Sequence, residues 1–302
     1  MKVGVYQIDP VLLDVKANLE NTIQILEEAK EQHVDLVIFP ELSLTGYFVG
    51  QRYHDVALRL DSPQIDKLRK ATKGVAAVVG FIEESRAMNF YNSALVAVDG
   101  EILFTYRKLN LPNYGVFEER KIFSTGKHVQ VFKLKGFTIS PLICNDLWHP
   151  SLPYLAVTQK ADVFITMFNS SQGSMGNEFS NIESWSIINR FYSRVFGVYN
   201  LCANRVGCEV FENIGSDDGE STDAVPPAVE DNPFRFWGGS EIINPFGLPI
   251  ATAALYDTDV IFADISRDLI RKKRILLPYL KGDDPYFTHR ELTRILFEKS
   301  RK

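Results

Sequence analysis

Apolar residues recur along this chain with two different periods, and segments of the two kinds alternate. Residues 2–8 switch between apolar and polar positions, which is typical of a strand, whereas 18–32 carries Leu19, Ile23, Leu26 and Ala29 at helical spacing. The predicted strands are 2–8, 35–39, 75–83, 90–98, 101–107, 129–134, 137–143, 163–167, 198–203, 240–243, 249–253 and 260–265, and the predicted helices are 18–32, 64–71, 154–159, 182–196, 266–275 and 289–299.

Two pairs of predicted strands are joined by very short turns. Asp99-Gly100 separates strands 90–98 and 101–107, and Asp-Gly between two apolar runs is a strong hairpin signal. Lys135-Gly136 separates 129–134 from 137–143 in the same way. Because helices also lie between the early strands, the pattern predicts a layered α/β domain with a mixed sheet.

The composition is that of a globular protein and excludes several classes of function. Of the 302 residues, 45% are hydrophobic and 24% are charged, and the net charge of −5 offers no basic surface for nucleic acid. No apolar run approaches the ~20 residues of a membrane span. Five histidines without Cys/His clusters suggest no metal site. Three cysteines without a disulfide spacing favour a reducing compartment, and residues 1–8 predict a core strand rather than a signal peptide. We therefore expect a cytoplasmic protein.

One segment interrupts the order of strands and helices. Residues 209–233 are rich in Asp, Glu, Gly, Ser and Pro, a composition that favours a long loop. A solvated insertion, a lid over a site and an oligomer contact are all open interpretations of this loop. We expect one domain over residues 1–275 that carries this acidic insertion. Residues 276–302 then form a tail of the same domain, with a contact to a partner subunit as a hypothesis.

Cys144 is the most informative single residue. It follows the apolar run 136–143, and Pro150 shortly after it suits the first turn of a helix. A sharp turn between a strand and a helix exposes the side chain at the turn, and nucleophiles are often placed there. The bland alternative is a buried structural thiol.

A reactive thiol needs a base and a cation, and two other segments offer them. Glu41 follows the predicted strand 35–39, and Lys108 follows the strand 101–107. Taken alone, Glu41 is better explained as an acid at a helix N-terminus, and Lys108 as a solvated lysine at a strand end. The three residues gain meaning only as a set.

The segments that carry these residues resemble the motifs of a known family. Residues 39–47 (FPELSLTGY), 106–112 (YRKLNLP) and 142–146 (LICND) resemble, in that order, the glutamate, lysine and cysteine motifs of the nitrilase superfamily of carbon–nitrogen hydrolases. Further similar segments are 168–171 (FNSS), 203–207 (ANRVG), 238–240 (GGS) and 244–247 (NPFG). The resemblance extends from about residue 2 to residue 273.

The resemblance implies a fold and a set of site residues. The fold is a four-layer α-β-β-α sandwich, which usually pairs into a homodimer or a higher homo-oligomer. Glu41, Lys108 and Cys144 are the implied catalytic residues. Glu119, eleven residues after Lys108, matches a second acid of several relatives, and Glu118 is its rival. The implied substrate contacts are Tyr114, Asn145, Asn169 and Ser170.

The implied reaction is hydrolysis of a small linear amide or carbamoyl compound through a thioester on Cys144, without a metal or an organic cofactor. Residues 108–119 and 144–148 resemble the glutaminase domain of glutamine-dependent NAD synthetases, but we expect no synthetase domain in this chain. Many of those glutaminases carry Glu after the cysteine, where this chain has Asn145. True nitrilases commonly carry Trp-Glu there, so an amide is favoured over a nitrile. A glutaminase subunit that supplies ammonia and a catalytically silent interaction module are the alternatives.

Overall fold

The computed structural model of this chain describes residues 1–172, 180–209 and 234–298. The strands in these ranges are β1 Lys2–Gln7, β2 Leu36–Ile38, β3 Ala76–Glu84, β4 Phe90–Val98, β5 Glu101–Arg107, β6 Phe132–Leu134, β7 Phe137–Ile143, β8 Val163–Phe168, β9 Tyr199–Asn204, β10 Val206–Glu209, β11 Phe234–Trp237, β12 Glu241–Ile243, β13 Pro249–Thr252 and β14 Asp259–Asp264. The helices are α1 Val15–Glu31, α2 Tyr53–Val56, α3 Pro63–Ala71, α4 Glu119–Ile122, α5 Ser151–Thr158, α6 Asn181–Phe196, α7 Arg267–Leu276 and α8 Pro285–Thr293.

Within the described ranges, twelve of the strands form two six-stranded sheets of the same design, and β10 and β11 form a separate pair. The first sheet has the order β14-β1-β2-β3-β4-β5, and the second has the order β13-β12-β9-β8-β7-β6. Each sheet is parallel at its centre, across β1-β2-β3 or β7-β8-β9, and antiparallel at its edges. The hairpins predicted at Asp99-Gly100 and Lys135-Gly136 are confirmed as β4-β5 and β6-β7.

Alternation along the strands explains why the two sheets stack. Leu36 and Ile38 of β2 belong to the apolar core shared by the two sheets, whereas Val37 between them packs with the helices outside the first sheet. That outer layer contains Leu26 of α1 and Leu68 of α3. Helices α5, α6 and α7 pack on the other side, against the second sheet. The predicted four-layer α-β-β-α arrangement is therefore confirmed.

The predicted elements lie close to those of the structure, with shifts at their ends. Ser266, the first residue of the predicted helix 266–275, caps α7 through a hydrogen bond from the Asp268 N–H at 3.1 Å. The last helix begins at Pro285, earlier than predicted, because Asp284 caps it. No helix in the described ranges combines the length and the hydropathy that a bilayer crossing requires.

The boundary predicted for the acidic insertion is wrong at its first residue. Glu209 is the last residue of β10, which pairs with β11, and its side chain is buried. Sequence analysis missed both of these strands. The rest of the predicted insertion, residues 210–233, lies outside the described residues.

Gly80 in β3 allows a loop to pass very close to the sheet. A Cβ atom at this position would lie 2.4 Å from the Leu42 nitrogen and 2.5 Å from the Pro40 oxygen. The loop is tied to the same residue, because the Leu44 N–H and the Ser43 hydroxyl donate to the Gly80 carbonyl at 3.0 and 3.2 Å. The segment that contains Glu41 can thus follow this path because Gly80 has no side chain.

We predict that Gly80→Ala lowers the free energy of unfolding by about 1–3 kcal/mol, because the loop backbone has to move away from the new methyl group. Urea denaturation measures the change. Gly282→Ala is the matched control, since Gly282 has a φ of −90° and the nearest atom to an added Cβ is 4.0 Å away. Equal unfolding midpoints for the two variants would contradict the prediction.

Candidate active site

Cys144 lies at the turn that the sequence predicts. Strand β7 ends at Ile143, and Cys144 opens a short 3₁₀ turn, Cys144–Trp148, before α5. Its φ of 47° is in the left-handed region, which a residue other than glycine seldom adopts. The side chain is half-buried. A strained backbone at a strand end, in a residue that is only partly buried, is the arrangement expected of a nucleophile.

Glu41 is buried in the loop that follows β2, and three donors hold its carboxylate. Oε1 accepts hydrogen bonds from Lys108 Nζ at 2.7 Å and from Asn92 Nδ2 at 2.8 Å. Oε2 accepts the backbone N–H of Asn169 at 2.9 Å. The same N–H lies close enough to Cys144 to favour its thiolate. Glu41 therefore lies beside the thiol with little freedom to rotate.

Lys108 connects two carboxylates. It follows β5 directly, its side chain is fully buried, and Nζ lies 2.7 Å from Glu41 Oε1 and 2.7 Å from Glu119 Oε1. Glu119 opens α4 and also accepts a hydrogen bond from the Tyr47 hydroxyl at 2.7 Å. The rival residue Glu118 is exposed and pairs with Lys121 instead. The structure thus places Glu119, not Glu118, beside Lys108.

Asp146 ties the cysteine turn to the lysine segment. Its Oδ1 accepts the N–H groups of Leu109 and Asn110 at 3.0 and 2.8 Å. Its Oδ2 accepts the Tyr106 hydroxyl at 2.8 Å and the Ile143 N–H at 3.2 Å. This fully buried carboxylate therefore sets the spacing between Cys144 and Lys108. Burial raises its pKa to about 6, although the Tyr106 hydroxyl and Lys108 act in the opposite direction.

Burial and neighbouring charges shift the pKa values of Lys108, Glu119 and Cys144. Burial opposes the charge on Lys108, but Glu119 and Glu41 outweigh it, so the pKa of the ammonium lies well above its usual range. Burial raises the pKa of Glu119 to about 7, with Lys108 lowering it and Glu41 raising it. Burial and then Glu41 also raise the pKa of the Cys144 thiol, and Lys108 offsets this only in part. These shifts favour the protonated thiol over the thiolate, so a nucleophilic role for Cys144 requires a base.

The predicted substrate contacts fall around the same point of the molecule. The Tyr114 hydroxyl donates to Asn145 Oδ1 at 3.0 Å. Asn169 is buried, and neither its amide oxygen nor its amide nitrogen has a hydrogen-bond partner among the described residues. Ser170 is buried and is held through its backbone by Asn204. An unsatisfied buried amide next to a nucleophile is a group available to a ligand.

Sequence reasoning missed several residues that hold the site together. Tyr47, Tyr106 and Asp146 lie inside the three quoted motifs, and their proximity to Glu41, Lys108 and Cys144 in the chain was the available signal. Asn92 comes from the middle of β4, and nothing in its local sequence distinguishes it. Among the described residues, there is no His/Cys/Asp/Glu group that could hold a metal ion.

Comparison with known proteins finds relatives of several kinds. A glutamine-dependent NAD(+) synthetase of Acinetobacter baylyi is 29% identical over 282 residues, which are 91% of this chain and 46% of that protein. An N-carbamoylputrescine amidase of Oryza sativa subsp. japonica is 27% identical over 281 residues, 90% of this chain and 89% of that protein. This chain spans less than half the length of six glutamine-dependent NAD(+) synthetases that it matches.

Solved structures agree with the fold. The crystal structure of a carbon-nitrogen hydrolase from Helicobacter pylori G27 has a TM-score of 0.80 at 22% sequence identity and covers 97% of this chain and 98% of that chain. The family model described as carbon-nitrogen hydrolase matches residues 2–275. This match covers the predicted domain and the strand ends that carry Glu41, Lys108 and Cys144. The chain belongs to the carbon-nitrogen hydrolase family.

Proposed function

We propose that this protein hydrolyses the C–N bond of a small linear amide or carbamoyl compound, and that Cys144 forms a thioester with the acyl group. The observation that carries the proposal is the buried Lys108 ammonium, which lies 2.7 Å from Glu41 and 2.7 Å from Glu119 beside a strained, half-buried cysteine. Burying a cation between two carboxylates costs free energy. In this cluster a carboxylate supplies the base that a neutral thiol needs, and the cation supplies the positive charge.

In the first step Glu41 accepts the thiol proton while Cys144 Sγ bonds to the carbonyl carbon. The carbonyl oxygen takes the negative charge, which the Lys108 ammonium and the backbone N–H of Asn145 stabilise. Lys108 cannot itself be the base, because its neighbours keep it charged. Hydrogen bonds from Asn92 and from the Asn169 N–H fix the Glu41 carboxylate, so the proton taken from the thiol stays close to the reacting atoms.

In the second step the C–N bond breaks and Glu41 gives its proton to the departing nitrogen, which leaves as ammonia or an amine. Glu41 then takes a proton from a water molecule whose oxygen attacks the thioester carbonyl. The C–S bond breaks, the acid is released, and the proton returns to Cys144. One carboxylate thus acts as base and acid in turn, and no cofactor takes part.

Features around Cys144 support a short polar substrate. The unsatisfied amide of Asn169 and the free Oε2 of Glu119 offer hydrogen bonds that no described residue supplies or accepts. Tyr114 and Asn145 form a neutral hydrogen-bonded pair, and Asn145 directly follows Cys144 in the chain. The rice relative that covers nearly the whole chain is named for a carbamoyl amine, which belongs to the proposed class.

A second candidate is a glutaminase activity that supplies ammonia to a separate synthetase. It is favoured by the similarity to glutamine-dependent NAD(+) synthetases, which reaches 38% over 160 residues in the protein of Thermotoga maritima. Asn145 weighs against it, because a neutral amide bonded to Tyr114 lacks the negative charge that a glutamate would offer an α-amino group. The homo-oligomer and the cytoplasmic location stay predictions.

We predict that the purified protein releases ammonia or an amine from amides or carbamoyl amines, and that iodoacetamide inactivates it by alkylating Cys144. Cys208 is exposed whereas Cys202 is buried, so a Cys208→Ser background makes the added mass unambiguous. Cys144→Ala is expected to lower the rate at least about 10³-fold, because the covalent route is lost. Cys208→Ser alone is the control and keeps full activity.

The substrate panel separates the candidates. Short amides, carbamoyl amines, glutamine and nitriles are each supplied to the same enzyme. Release from glutamine alone would favour the glutaminase, and release from nitriles alone would contradict the proposed substrate class. No release from any class, with slow alkylation of Cys144, would favour the catalytically silent module.

We predict that kcat/KM falls as the pH drops below about 7. Glu119 is ionised above its pKa of about 7, and its protonation removes a negative charge from Lys108. Glu119→Gln is expected to lower activity and to abolish this acid limb, whereas Glu118→Gln, the exposed neighbour, keeps it. An acid limb near pH 7 that persists in Glu119→Gln would show that another group is responsible.

We predict that Asp146→Asn lowers kcat by about 10- to 100-fold, because the amide nitrogen cannot accept the Tyr106 hydroxyl or the Ile143 N–H and the turn shifts relative to Lys108. The free energy of unfolding should fall by about 1–3 kcal/mol. Steady-state kinetics and urea denaturation give the two values. The exposed Asp264→Asn serves as control, and wild-type kcat in Asp146→Asn would refute the predicted link.

A further inference from the structure

Within the part of the chain that the structure describes, Glu119 is held through one of its two oxygens. Oε1 accepts both the Lys108 ammonium and the Tyr47 hydroxyl, each at 2.7 Å. Oε2 is buried and has no hydrogen-bond partner among the described residues. The two described groups that donate to Oε1 are the charged Lys108 ammonium and the neutral Tyr47 hydroxyl. The orientation of the Glu119 carboxylate relative to Lys108 therefore depends on the Tyr47 hydroxyl.

Tyr47 is in turn fixed at its backbone by a second buried carboxylate. The Tyr47 N–H lies 3.1 Å from Glu209 Oε2 and 3.2 Å from Oε1, and the Phe48 N–H lies 2.8 Å from Oε2. Glu209 is only 3% exposed and is the last residue of β10. It lies 162 residues after Tyr47 in the chain. Two adjacent N–H groups on one carboxylate leave the start of the Tyr47 side chain little freedom.

Among the described residues, the cation that compensates the charge of Glu209 is the buried Arg205. Its guanidinium bonds to Glu209 through Nη1, to Asp9 at 3.2 Å and to the Pro10 carbonyl at 3.0 Å through Nη2, and it lies 4.3 Å from the centroid of the Phe236 ring. Arg205 is fully buried. Burying an ion pair costs free energy. The position of the Arg205–Glu209 pair beside the Tyr47 backbone therefore indicates a role beyond packing.

We propose that Tyr47 is a positioning residue for the hydrolysis, that its hydroxyl holds Glu119 against Lys108, and that the Arg205–Glu209 ion pair sets where this hydroxyl lies. The proposal rests on the proposed function of the Cys144 site. It makes the pair of strands β10 and β11 part of the catalytic apparatus, although none of their side chains touches Cys144, Glu41 or Lys108 through a described hydrogen bond.

The alternative is that Tyr47 only packs. Its ring makes edge-on contacts with Phe48 and Phe117 at centroid distances of 5.0 and 6.1 Å. A packing role depends on the ring, whereas the proposed role depends on the hydroxyl. Tyr47→Phe keeps the ring and removes only the oxygen, so it separates the two.

Tyr47→Phe is expected to raise the apparent pKa of the acid limb of kcat/KM by about one unit, because a hydrogen bond to the ionised carboxylate is lost. We expect kcat to fall about tenfold. Tyr53→Phe is the matched control, since the Tyr53 ring packs against Phe90 and its hydroxyl has no described hydrogen-bond partner. A Tyr47→Phe enzyme with the wild-type acid limb and full kcat would overturn the proposal.

A second variant tests the link to the ion pair. Glu209→Gln is expected to move the acid limb in the same direction, and the double variant Tyr47→Phe/Glu209→Gln should move it no further, because both changes act through one hydroxyl. Additive shifts would contradict the link. Should Glu209→Gln fail to fold, Tyr47→Phe decides the proposal alone.

A readout without substrate distinguishes failure of this proposal from failure of the proposed function. The rate of Cys144 alkylation by iodoacetamide is measured against pH in the wild type and in Tyr47→Phe, both in the Cys208→Ser background. A shifted profile supports the positioning role even where no tested amide is hydrolysed. Identical profiles would refute it even where hydrolysis is found.

Discussion

The buried ammonium of Lys108 is the interaction on which the rest of the site depends. A charge removed from water is stable only where partners surround it, and here two carboxylates do so at 2.7 Å. Those carboxylates come from the loop after β2 and from the start of α4, while Lys108 itself follows β5. The need to compensate one cation therefore brings three separate segments to one point, beside the end of β7 where Cys144 lies.

The same requirement explains the buried groups one step further out. Glu41 bonds to Asn92 and to the Asn169 N–H, and Asp146 bonds to the Cys144 turn, because both carboxylates are buried and buried polar groups need hydrogen-bond partners. Two glycines let the backbone approach closely enough. Gly80 admits the Glu41 loop, and Gly126 donates to the Lys108 carbonyl at 2.8 Å at a place where a Cβ would lie 2.1 Å from the Arg107 oxygen.

Much of the fold follows from the sequence because hydrophobic period and turn chemistry are local. The strand at Leu36–Ile38 and the hairpin at Asp99-Gly100 each follow from a few neighbouring residues, and so does the turn at Cys144. Strands β10 and β11 could not be found in this way. They pair across a long acidic stretch, and Glu209 has the polarity of a loop residue although its charge is neutralised by Arg205. Contacts such as Tyr47 with Glu119, 72 residues apart, have no local signal.

The pKa directions within the cluster also decide how the proposed reaction can begin. A thiol whose pKa is raised by burial and by Glu41 does not rest as a free thiolate, so attack has to accompany proton transfer. Lys108 cannot accept that proton, because Glu119 and Glu41 raise the pKa of its ammonium. Glu41 is then the one carboxylate that both contacts Lys108 and shares the Asn169 N–H with Cys144. In the proposed reaction, Glu119 keeps the Lys108 cation charged while Glu41 changes its protonation state, and this gives the second acid a role of its own.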